Sequence, residues 1–365
     1  MPFKNVMDTI MGGFHKKMRA VGITHVSPLS DEESFSERTL PVPDPKSNEL
    51  LVQVLATSVN PVDVKMRSGY KEKGDFRIFG LDVVGRVMAM GQDVSGFTVG
   101  DRAYYAGKQQ KQGADAEYQV IDYQMVAKAP ESLSDSEAAA MPLTAITAHD
   151  ILHHGFSLPV EKDAAKGQSL LVINGAGGVG SILIQLAKYM GLTVIATAGQ
   201  KESTQWVRQM GADFVVNYHD DLPTQLADAG FHQVDYIANL QDTMTYWDAM
   251  VQLIRPYGRI AAIVGSTLPL ELGELKPKSA SFTWVFMLAR GNNDLFLSEQ
   301  GQMLQQMATL FDQGVLHSTV TKVYAGLSVD NVRLAFQDVA SHHSLGKVVI
   351  DVATNGAKAK ERNKD

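Results

Sequence analysis

The chain has 365 residues, 45% hydrophobic and 20% charged, which favours a soluble globular protein of two domains. Its net charge is −7, and basic residues cluster only in the C-terminal segment KAKERNKD, which argues against a nucleic-acid partner. The absence of cysteine excludes disulfides, thiolate catalysis and every zinc or iron–sulfur site with a cysteine ligand.

The first third of the chain has the pattern of strands joined by turns. MRAVGI, ELLVQVLATSV, DVVGRVMAMG and RAYYAG are short apolar or β-branched runs, separated by turn segments such as NPVD and SGFTVGD. This pattern predicts a mostly antiparallel barrel-like or sandwich domain. From about residue 135 the spacing of apolar residues in SDSEAAAMPLTAITAHDILHH becomes that of a helix. We expect Ser134 or Asp135 to be the N-cap of this helix and Pro142 to interrupt it.

From residue 169 onward, apolar strands alternate with helical segments. Five such repeats with short turns predict a parallel sheet covered by helices on both faces, with strands at SLLVIN, TVIATA, DFVVNY, VDYIAN and GRIAAIVG. After about residue 290 the pattern predicts a long helix, the strand STVTKVY, a second helix and a last strand GKVVIDV. We expect these late elements to return to the first domain.

A glycine-rich loop follows the first of the parallel strands and opens a helix. In NGAGGVG, Gly175 permits a tight turn, Gly177 lets a diphosphate approach the backbone, and Gly180 lets the helix pack on the strand. The helix N-terminus, with Gly178 and Val179, offers free N–H groups to phosphates. The alternative is a glycine turn without a ligand, but inside five strand–helix repeats the pattern favours a dinucleotide.

The end of the second parallel strand indicates which coenzyme binds. NAD sites usually place an acid there, whereas this chain reads ATAGQKES, with Thr197 at the strand end and Lys201 in the turn. A lysine would attract the 2′-phosphate of NADP(H), which we therefore expect as the coenzyme. Alternatively, Lys201 is a solvated lysine and Glu202 binds the ribose. Tyr218, at the end of the third strand, is placed to flank the adenosine.

These segments together resemble the medium-chain dehydrogenase/reductase superfamily, and within it the quinone oxidoreductase branch and the group called zinc-type alcohol dehydrogenase-like. The resemblance spans about residues 18–352. It is carried by SVNPVDVKMRSG, FGLDVVGRV, GFTVGDR, ADAEY, AAAMPLTAITA and INGAGGVGSILIQLAK, and by the group signatures YYAGKQQKQGADAEYQVID and LKPKSASFTWVFMLARG.

The resemblance implies an α/β protein with a GroES-like, mostly-β catalytic domain and a Rossmann domain with a doubly wound parallel sheet. We expect the catalytic domain at residues 18–145, completed by residues 290–355, and the Rossmann NADP-binding domain at 146–289. Residues 1–17 are then an N-terminal extension, and residues 356–365 a polar C-terminal tail.

Zinc-bearing members of the superfamily bind catalytic zinc through two cysteines and a histidine that lies in a Gly-His-Glu stretch. The matching residues here are Gly80, Leu81 and Asp82, and leucine cannot bind a metal. The adjacent pairs His153–His154 and His342–His343 are poorly spaced for chelation from one helical face. We predict no zinc and no other metal. Asp82, a carboxylate inside the apolar run FGLDVVG, is then expected to be held by hydrogen bonds, because an unpaired buried carboxylate is costly.

Without zinc, oxidation of a simple alcohol lacks its main electrophile. Hydride transfer from NADPH to a quinone or an α,β-unsaturated carbonyl remains feasible, because these acceptors are already activated. The expected protein is thus an NADPH-dependent, zinc-independent quinone or enone oxidoreductase. The alternatives are an NADP-dependent alcohol or aldehyde oxidoreductase, and a coenzyme-binding sensor or structural protein with little turnover.

The resemblance also assigns residues to the cleft. It places Asn60 and Thr144 beside the nicotinamide and substrate as candidate catalytic residues, with Asp63, Tyr70 and Tyr105 as further candidates. It implies coenzyme contacts for Gly346 and Lys347, while Val264 and Gly265 are expected at the nicotinamide because ligands bind at the carboxyl ends of parallel strands, here the fifth. Each has a purely structural alternative: an Asx turn for Asn60 and Asp63, a back-bonded helix threonine for Thr144, barrel positions for the tyrosines and a solvated strand end for Lys347. Trp284 and Phe286 are candidates for an apolar wall, or core aromatics.

Partners and compartment follow from what the sequence lacks. There is no apolar run of the roughly 18–20 residues that span a bilayer, and the N-terminus has no secretory apolar region. We therefore expect a cytoplasmic protein that binds a small-molecule quinone or enone and no membrane. The resemblance implies a homodimer formed through the nucleotide-binding domains.

The missing ligands make the metal prediction testable. Protein purified without a metal-affinity tag should contain no stoichiometric zinc by elemental analysis, because the family's ligand set is absent. One zinc per chain would contradict this prediction.

Overall fold

The computed structural model describes residues 16–71, 74–341 and 343–353. Of the expected N-terminal extension, residues 1–15 lie outside this part of the chain, as does the whole of the tail at 356–365. Lys17 already pairs with Pro41, so the first strand begins one residue before the expected domain boundary. Among the described residues, none of the helices has the length and apolar character needed to cross a bilayer.

The first part of the chain is mostly β-structure. Its strands are β1 (Lys17–Ile23), β2 (Ser36–Pro41), β3 (Glu49–Val59), β4 (Arg77–Ile78), β5 (Asp82–Met90), β6 (Arg102–Ala106), β7 (Tyr118–Asp122) and β8 (Ala127–Lys128). Its helices are α1 (Pro61–Ser68), α2 (Asp135–Ala139) and α3 (Pro142–Asp150), with a π-helical turn at Ile151–Gly155 and 3₁₀ turns at Glu32–Ser34 and Tyr123–Met125.

Two sequence signals determine where α2 and α3 begin. The Ser134 N–H donates to the Glu137 carboxylate at 2.9 Å, and the Ser134 hydroxyl accepts from the Glu137 N–H at 3.4 Å. This capping box confirms the predicted N-cap at Ser134. Pro142 stands at the first turn of α3, where its missing N–H costs no helical hydrogen bond, so the predicted interruption becomes a helix start.

The middle of the chain forms a parallel sheet. Its elements are β9 (Ser169–Ile173), α4 (Gly178–Tyr189), β10 (Thr193–Thr197), α5 (Lys201–Gln209), β11 (Phe214–Val216), α6 (Leu222–Asp228), β12 (Val234–Asn239), α7 (Thr243–Leu253), β13 (Ile254–Ala262), a 3₁₀ segment (Leu272–Lys278) and β14 (Ser281–Trp284). In the described chain the strand order is β11-β10-β9-β12-β13-β14. The order reverses beside β9, and ligands bind at such switch points, outside the carboxyl ends of the strands.

The last elements return to the first sheet. They are α8 (Ala289–Asn293), α9 (Leu297–Asp312), β15 (Val320–Ala325), α10 (Val329–Ala340) and β16 (Lys347–Asp351). The described sheet has the order β15-β16-β3-β5-β6-β8, and β7 also pairs with β3. Because β16 lies antiparallel to β3, with Val348 opposite Val59, the start of β16 meets the end of β3.

Candidate active site

The chain brings four segment ends to one place between the two sheets. Asn60 follows β3 and caps α1, Asp82 begins β5, and Lys347 begins β16. Leu143 lies in the first turn of α3. Strand pairing accounts for this convergence, because β3 is the direct neighbour of both β5 and β16.

The Asp82 carboxylate is the centre of this cluster and is fully buried. One oxygen, Oδ2, accepts from the Ser58 hydroxyl at 2.7 Å, the Asn60 amide at 2.8 Å and the Lys347 ammonium at 3.2 Å. The other, Oδ1, accepts from the Leu143 backbone N–H at 2.6 Å. The expectation that hydrogen bonds hold Asp82 is therefore confirmed. With four donors its charge is compensated in spite of the burial.

Lys347 is also buried, with 3% of its surface exposed. Its ammonium donates to the Asn60 side-chain oxygen and, at 3.2 Å, to the Val59 carbonyl, in addition to Asp82. An ammonium group has three donors, so these three acceptors use all of them. Lys347 is thus part of a closed polar network, and the solvated strand end considered above does not describe it.

The glycine-rich loop adjoins this network. A Cβ atom on Gly178 would lie 2.8 Å from Lys347 Cδ and 3.1 Å from Thr144 Cγ2. The Gly346 N–H donates to the Ala176 carbonyl at 3.0 Å, which ties β16 to the loop. The start of the parallel-sheet helix α4 and the Asp82 network are therefore neighbours.

The loop has the shape that a diphosphate requires. A Cβ on Gly180 would lie 2.5 Å from the Gly175 carbonyl oxygen, and one on Gly175 would lie 2.9 Å from Ala196 Cβ, so side chains at either position would displace the turn. The first N–H groups of α4 have no intrahelical acceptor and carry the positive end of the helix dipole. The residues present therefore fit the phosphates of a dinucleotide.

The predicted adenosine-side residues have different environments. Thr197 is buried, and its hydroxyl accepts from the Asn174 N–H at 2.8 Å. This hydrogen bond fixes the first residue of the glycine-rich loop to the end of β10. Lys201 is exposed in the first turn of α5. Tyr218 covers Gly199, where a Cβ would lie 2.5 Å from the tyrosine ring, and is 40% exposed. Lys201 and Tyr218 thus remain accessible to a ligand.

The nicotinamide-side residues follow β13. The Val264 carbonyl accepts from the Thr243 hydroxyl at 2.6 Å, and Gly265 beside it is exposed. Trp284 and Phe286 are about half exposed at the end of β14. They stand on the carboxyl side of the sheet, so neither is the core aromatic that the alternative reading proposed.

Three predicted side chains have their hydroxyl groups engaged within the protein. The Thr144 hydroxyl donates to the Met141 carbonyl at 3.0 Å, which is the back-bonding expected of a helix threonine, and only its methyl faces Gly178. Tyr105 is fully buried and donates to Gln119 at 3.0 Å. The Tyr70 hydroxyl donates to the Asp75 carbonyl at 2.8 Å. Within the part of the chain that the structure describes, none of the three hydroxyl groups is hydrogen-bonded to the Asp82 network.

A pair of buried carboxyl groups lies beside the network. Asp63 Oδ2 accepts from the Asn60 backbone N–H at 2.9 Å, which forms the cap of α1. Burial raises the pKa of Asp63 to about 7 and raises the pKa of Asp115 well above its usual range. Both side chains are fully buried. Sequence reasoning singled out Asp63 but missed Asp115.

The network also contains groups that the sequence did not reveal. Ser58 and the backbone N–H of Leu143 both donate to Asp82, and neither was predicted. The signal for Ser58 was a hydroxyl in an otherwise apolar strand, which in a buried position needs a partner. A backbone donor such as that of Leu143 carries no residue-type signal.

The position of the family's zinc histidine is occupied by Leu81, whose side chain is buried in the core. In the described part of the chain, no three histidine, aspartate or glutamate side chains are grouped so as to hold a metal ion. His154 lies with Nε2 2.7 Å from the Arg290 guanidinium, which also forms a two-point ion pair with Asp150.

Comparison with known proteins agrees with this architecture. The family described as alcohol dehydrogenase GroES-like domain matches residues 46–131, and that described as zinc-binding dehydrogenase matches residues 210–350. A zinc-type alcohol dehydrogenase-like protein of Staphylococcus epidermidis is 40% identical over 92% of this chain and 100% of its own length.

Two further proteins show how wide the similarity is. A solved structure from Rhizobium etli, described as a candidate zinc-dependent alcohol dehydrogenase, is 34% identical and superposes with a TM-score of 0.87 over 93% of this chain and 99% of its own. An NADPH-dependent alkenal/one oxidoreductase of Arabidopsis thaliana is 28% identical over 86% of this chain and 75% of its own length.

The GroES-like sheet and the Rossmann sheet define a two-domain dehydrogenase or reductase. The chain belongs to the medium-chain dehydrogenase/reductase superfamily, together with the zinc-type alcohol dehydrogenase-like proteins. The predicted α/β fold with these two domains is confirmed.

The Asp82–Lys347 pair predicts a specific pattern of stabilities. Asp82→Asn leaves the Lys347 ammonium buried without a counter-charge and should lower the free energy of unfolding by about 3–5 kcal/mol. The double variant Asp82→Asn/Lys347→Met should be more stable than Asp82→Asn alone, because it removes the orphaned charge. Urea unfolding followed by circular dichroism measures both.

The partly exposed ion pair between Arg19 and Glu117, at 3.0 Å, provides the matched control, because water reaches both side chains. Glu117→Gln should cost less than about 1 kcal/mol, because solvent already stabilises both charges. Equal losses for Asp82→Asn and Glu117→Gln would show that the Asp82 network does not carry the stability assigned to it.

Proposed function

We propose that this protein uses NADPH to reduce a quinone or an α,β-unsaturated carbonyl compound without a metal. The observation that carries the proposal is the replacement of the zinc site by a hydrogen-bonded network. Leu81 occupies the place of the metal-binding histidine, while Asn60 and Lys347 lie beside the glycine-rich loop. An acceptor that is already activated needs donors and positioning rather than a Lewis acid.

When bound, NADPH supplies a hydride. The glycine-rich loop and the first turn of α4 bind the diphosphate, and Val264 and Gly265 line the nicotinamide side. The Asn60 amide, held by Asp82 and Lys347, is the nearest side-chain donor for an acceptor oxygen that gains negative charge. The positive charge of Lys347 favours the same developing charge through space.

The preference for NADP(H) rests on the end of β10. Lys201 is exposed in the first turn of α5, and no acid occupies the strand end at Thr197. An exposed lysine at a helix N-terminus attracts a 2′-phosphate by its own charge and by the helix dipole. The plant relative that is named an NADPH-dependent alkenal/one oxidoreductase supports both the coenzyme and the acceptor class.

The protein is further proposed to act in the cytoplasm as a homodimer. The dimer is supported by β14, the outermost strand of the described Rossmann sheet, whose free edge can pair with a second copy. The small-molecule substrate would enter between the two domains, where Trp284 and Phe286 offer half-exposed apolar surface.

A panel of acceptors tests the proposed activity. NADPH oxidation, followed by its absorbance, should be observed with a benzoquinone or with methyl vinyl ketone, whereas NADP⁺ with ethanol should give no reaction. Turnover confined to simple alcohols and aldehydes would contradict the proposal. Tight NADPH binding without turnover on any acceptor would favour a coenzyme-binding protein instead.

Charge reversal at Lys201 tests the coenzyme assignment. Lys201→Glu should raise the Kd for NADPH about 10–100-fold, since a charge-assisted contact with phosphate is lost. The Kd for NADH should change by less than about threefold, because NADH lacks the 2′-phosphate. Titration of protein fluorescence with each coenzyme gives both constants.

Lys162→Glu is the matched control for this experiment, because it makes the same charge change at an exposed lysine before β9, at the opposite end of the sheet from α5. It should leave both constants unchanged. Equal weakening of NADPH and NADH by Lys201→Glu would remove Lys201 from the 2′-phosphate site.

A further inference from the structure

The two buried carboxyl groups beside the active site have fewer partners than their burial requires. Asp63 Oδ1 and both carboxyl oxygens of Asp115 have no hydrogen-bond partner among the described residues, and both side chains are fully buried. The hydroxyl of Thr57, also buried, lacks a partner as well. A carboxylate oxygen in such a place is costly when charged, and a bound proton removes that cost.

Among the described residues, no cationic side chain near Asp63 donates a hydrogen bond to its carboxylate. Asp82 of β5 disfavours a negative charge on Asp63, and Asp63 in turn disfavours a negative charge on Asp115 before β7. Lys347 of β16 favours it, but this ammonium donates to Asp82, Asn60 and Val59 and not to Asp63.

Two arginines also belong to the surroundings of Asp63, but their guanidinium groups donate hydrogen bonds to other residues. Arg77 of β4 interacts with Asp63 through space, while its guanidinium donates to the Gln109 carbonyl. Arg67, on the same helix as Asp63, donates to the Ser27 and Ser34 carbonyls at 2.9 Å. Lys65, also on this helix, is exposed. The carboxylate form of Asp63 is therefore stabilised mainly by one hydrogen bond from the Asn60 N–H.

The two carboxyl groups hold their protons with different strength. Burial raises the pKa of Asp115 well above its usual range, and the nearby Asp63 adds to this shift. Burial raises the pKa of Asp63 to about 7, so its charged and protonated forms are both accessible near neutral pH. Asp63 is thus the member of the pair that can gain a proton when its surroundings change.

We propose that Asp63 takes up a proton when NADPH binds, so that coenzyme binding and the protonation of this buried carboxyl group are linked. The inference rests on the proposed function for its coenzyme. Asp63 accepts a hydrogen bond from the Asn60 backbone N–H, and the Asn60 side chain donates to Asp82, so Asp63 adjoins the network beside the glycine-rich loop.

The physical cause is the negative charge that NADPH carries into the cleft. The glycine-rich loop that would bind its phosphates contacts the Lys347 side chain at Gly178, and Lys347 is bonded to Asn60. Phosphates at this loop offset the positive potential of Lys347, which is the main cation that favours a charged Asp63. Both the weaker positive potential from Lys347 and the added negative charge of the phosphates favour protonation of Asp63.

Calorimetry in buffers of different ionisation enthalpy measures the proton uptake directly. At pH 7.5 the wild-type protein should take up roughly 0.3–0.7 proton for each NADPH bound, and above pH 7 the Kd should rise by up to about tenfold per pH unit. Asp63→Asn should lose most of this uptake.

Asp115→Asn is the matched control, because it makes the same side-chain change in the neighbouring buried carboxyl group and should leave the uptake unchanged. Equal uptake by wild type and Asp63→Asn, or uptake lost in Asp115→Asn and kept in Asp63→Asn, would overturn the inference. Binding of NADPH without any proton uptake would also overturn it and leave the proposed coenzyme intact. Failure of the wild type to bind NADPH would overturn the proposed function itself, and this inference with it.

A measurement on the wild type keeps the inference testable even if Asp63→Asn does not fold. The infrared difference spectrum between free and NADPH-bound protein at pH 7.5 should show a gain in the C=O band of a protonated carboxyl group. No gain in that band would contradict the proposal.

Discussion

The buried carboxylate of Asp82 is the interaction on which the active site depends. A charge in this position persists only if donors surround it, and four donors do so: Ser58, Asn60, Leu143 and Lys347. These donors come from the end of β3, the cap of α1, the start of α3 and the start of β16. One side chain thus fixes where four segments of the chain meet.

This network also links the two domains. Lys347 belongs to the sheet of the first domain, and its side chain lies beside Gly178 at the start of α4, where a Cβ would be 2.8 Å from Lys347 Cδ. In zinc-bearing relatives a metal organises the equivalent place, as the resemblance implies. Here hydrogen bonds to the Asp82 carboxylate organise it.

Sequence patterns predicted the parts of the structure that repeat a local rule. The glycine spacing after β9, the five parallel strands and the cap at Ser134 follow from local chemistry, and the structure confirms them. The sixth strand, β14, was not singled out, because SFTW is too short to show a period. Lys347 contacts Asn60 and Asp82, which precede it in the chain by 287 and 265 positions, and no local pattern reveals contacts over such separations.

The most direct test of metal-free reduction follows the hydride itself. Enzyme treated with a chelator is given NADPH deuterated at the transferred C4 position, with methyl vinyl ketone as the acceptor, and the product is analysed by NMR and mass spectrometry. The account predicts one deuterium on the carbon β to the carbonyl, at a rate that the chelator does not change. Deuterium on the carbonyl carbon, or activity that disappears with the chelator and returns with zinc, would contradict it.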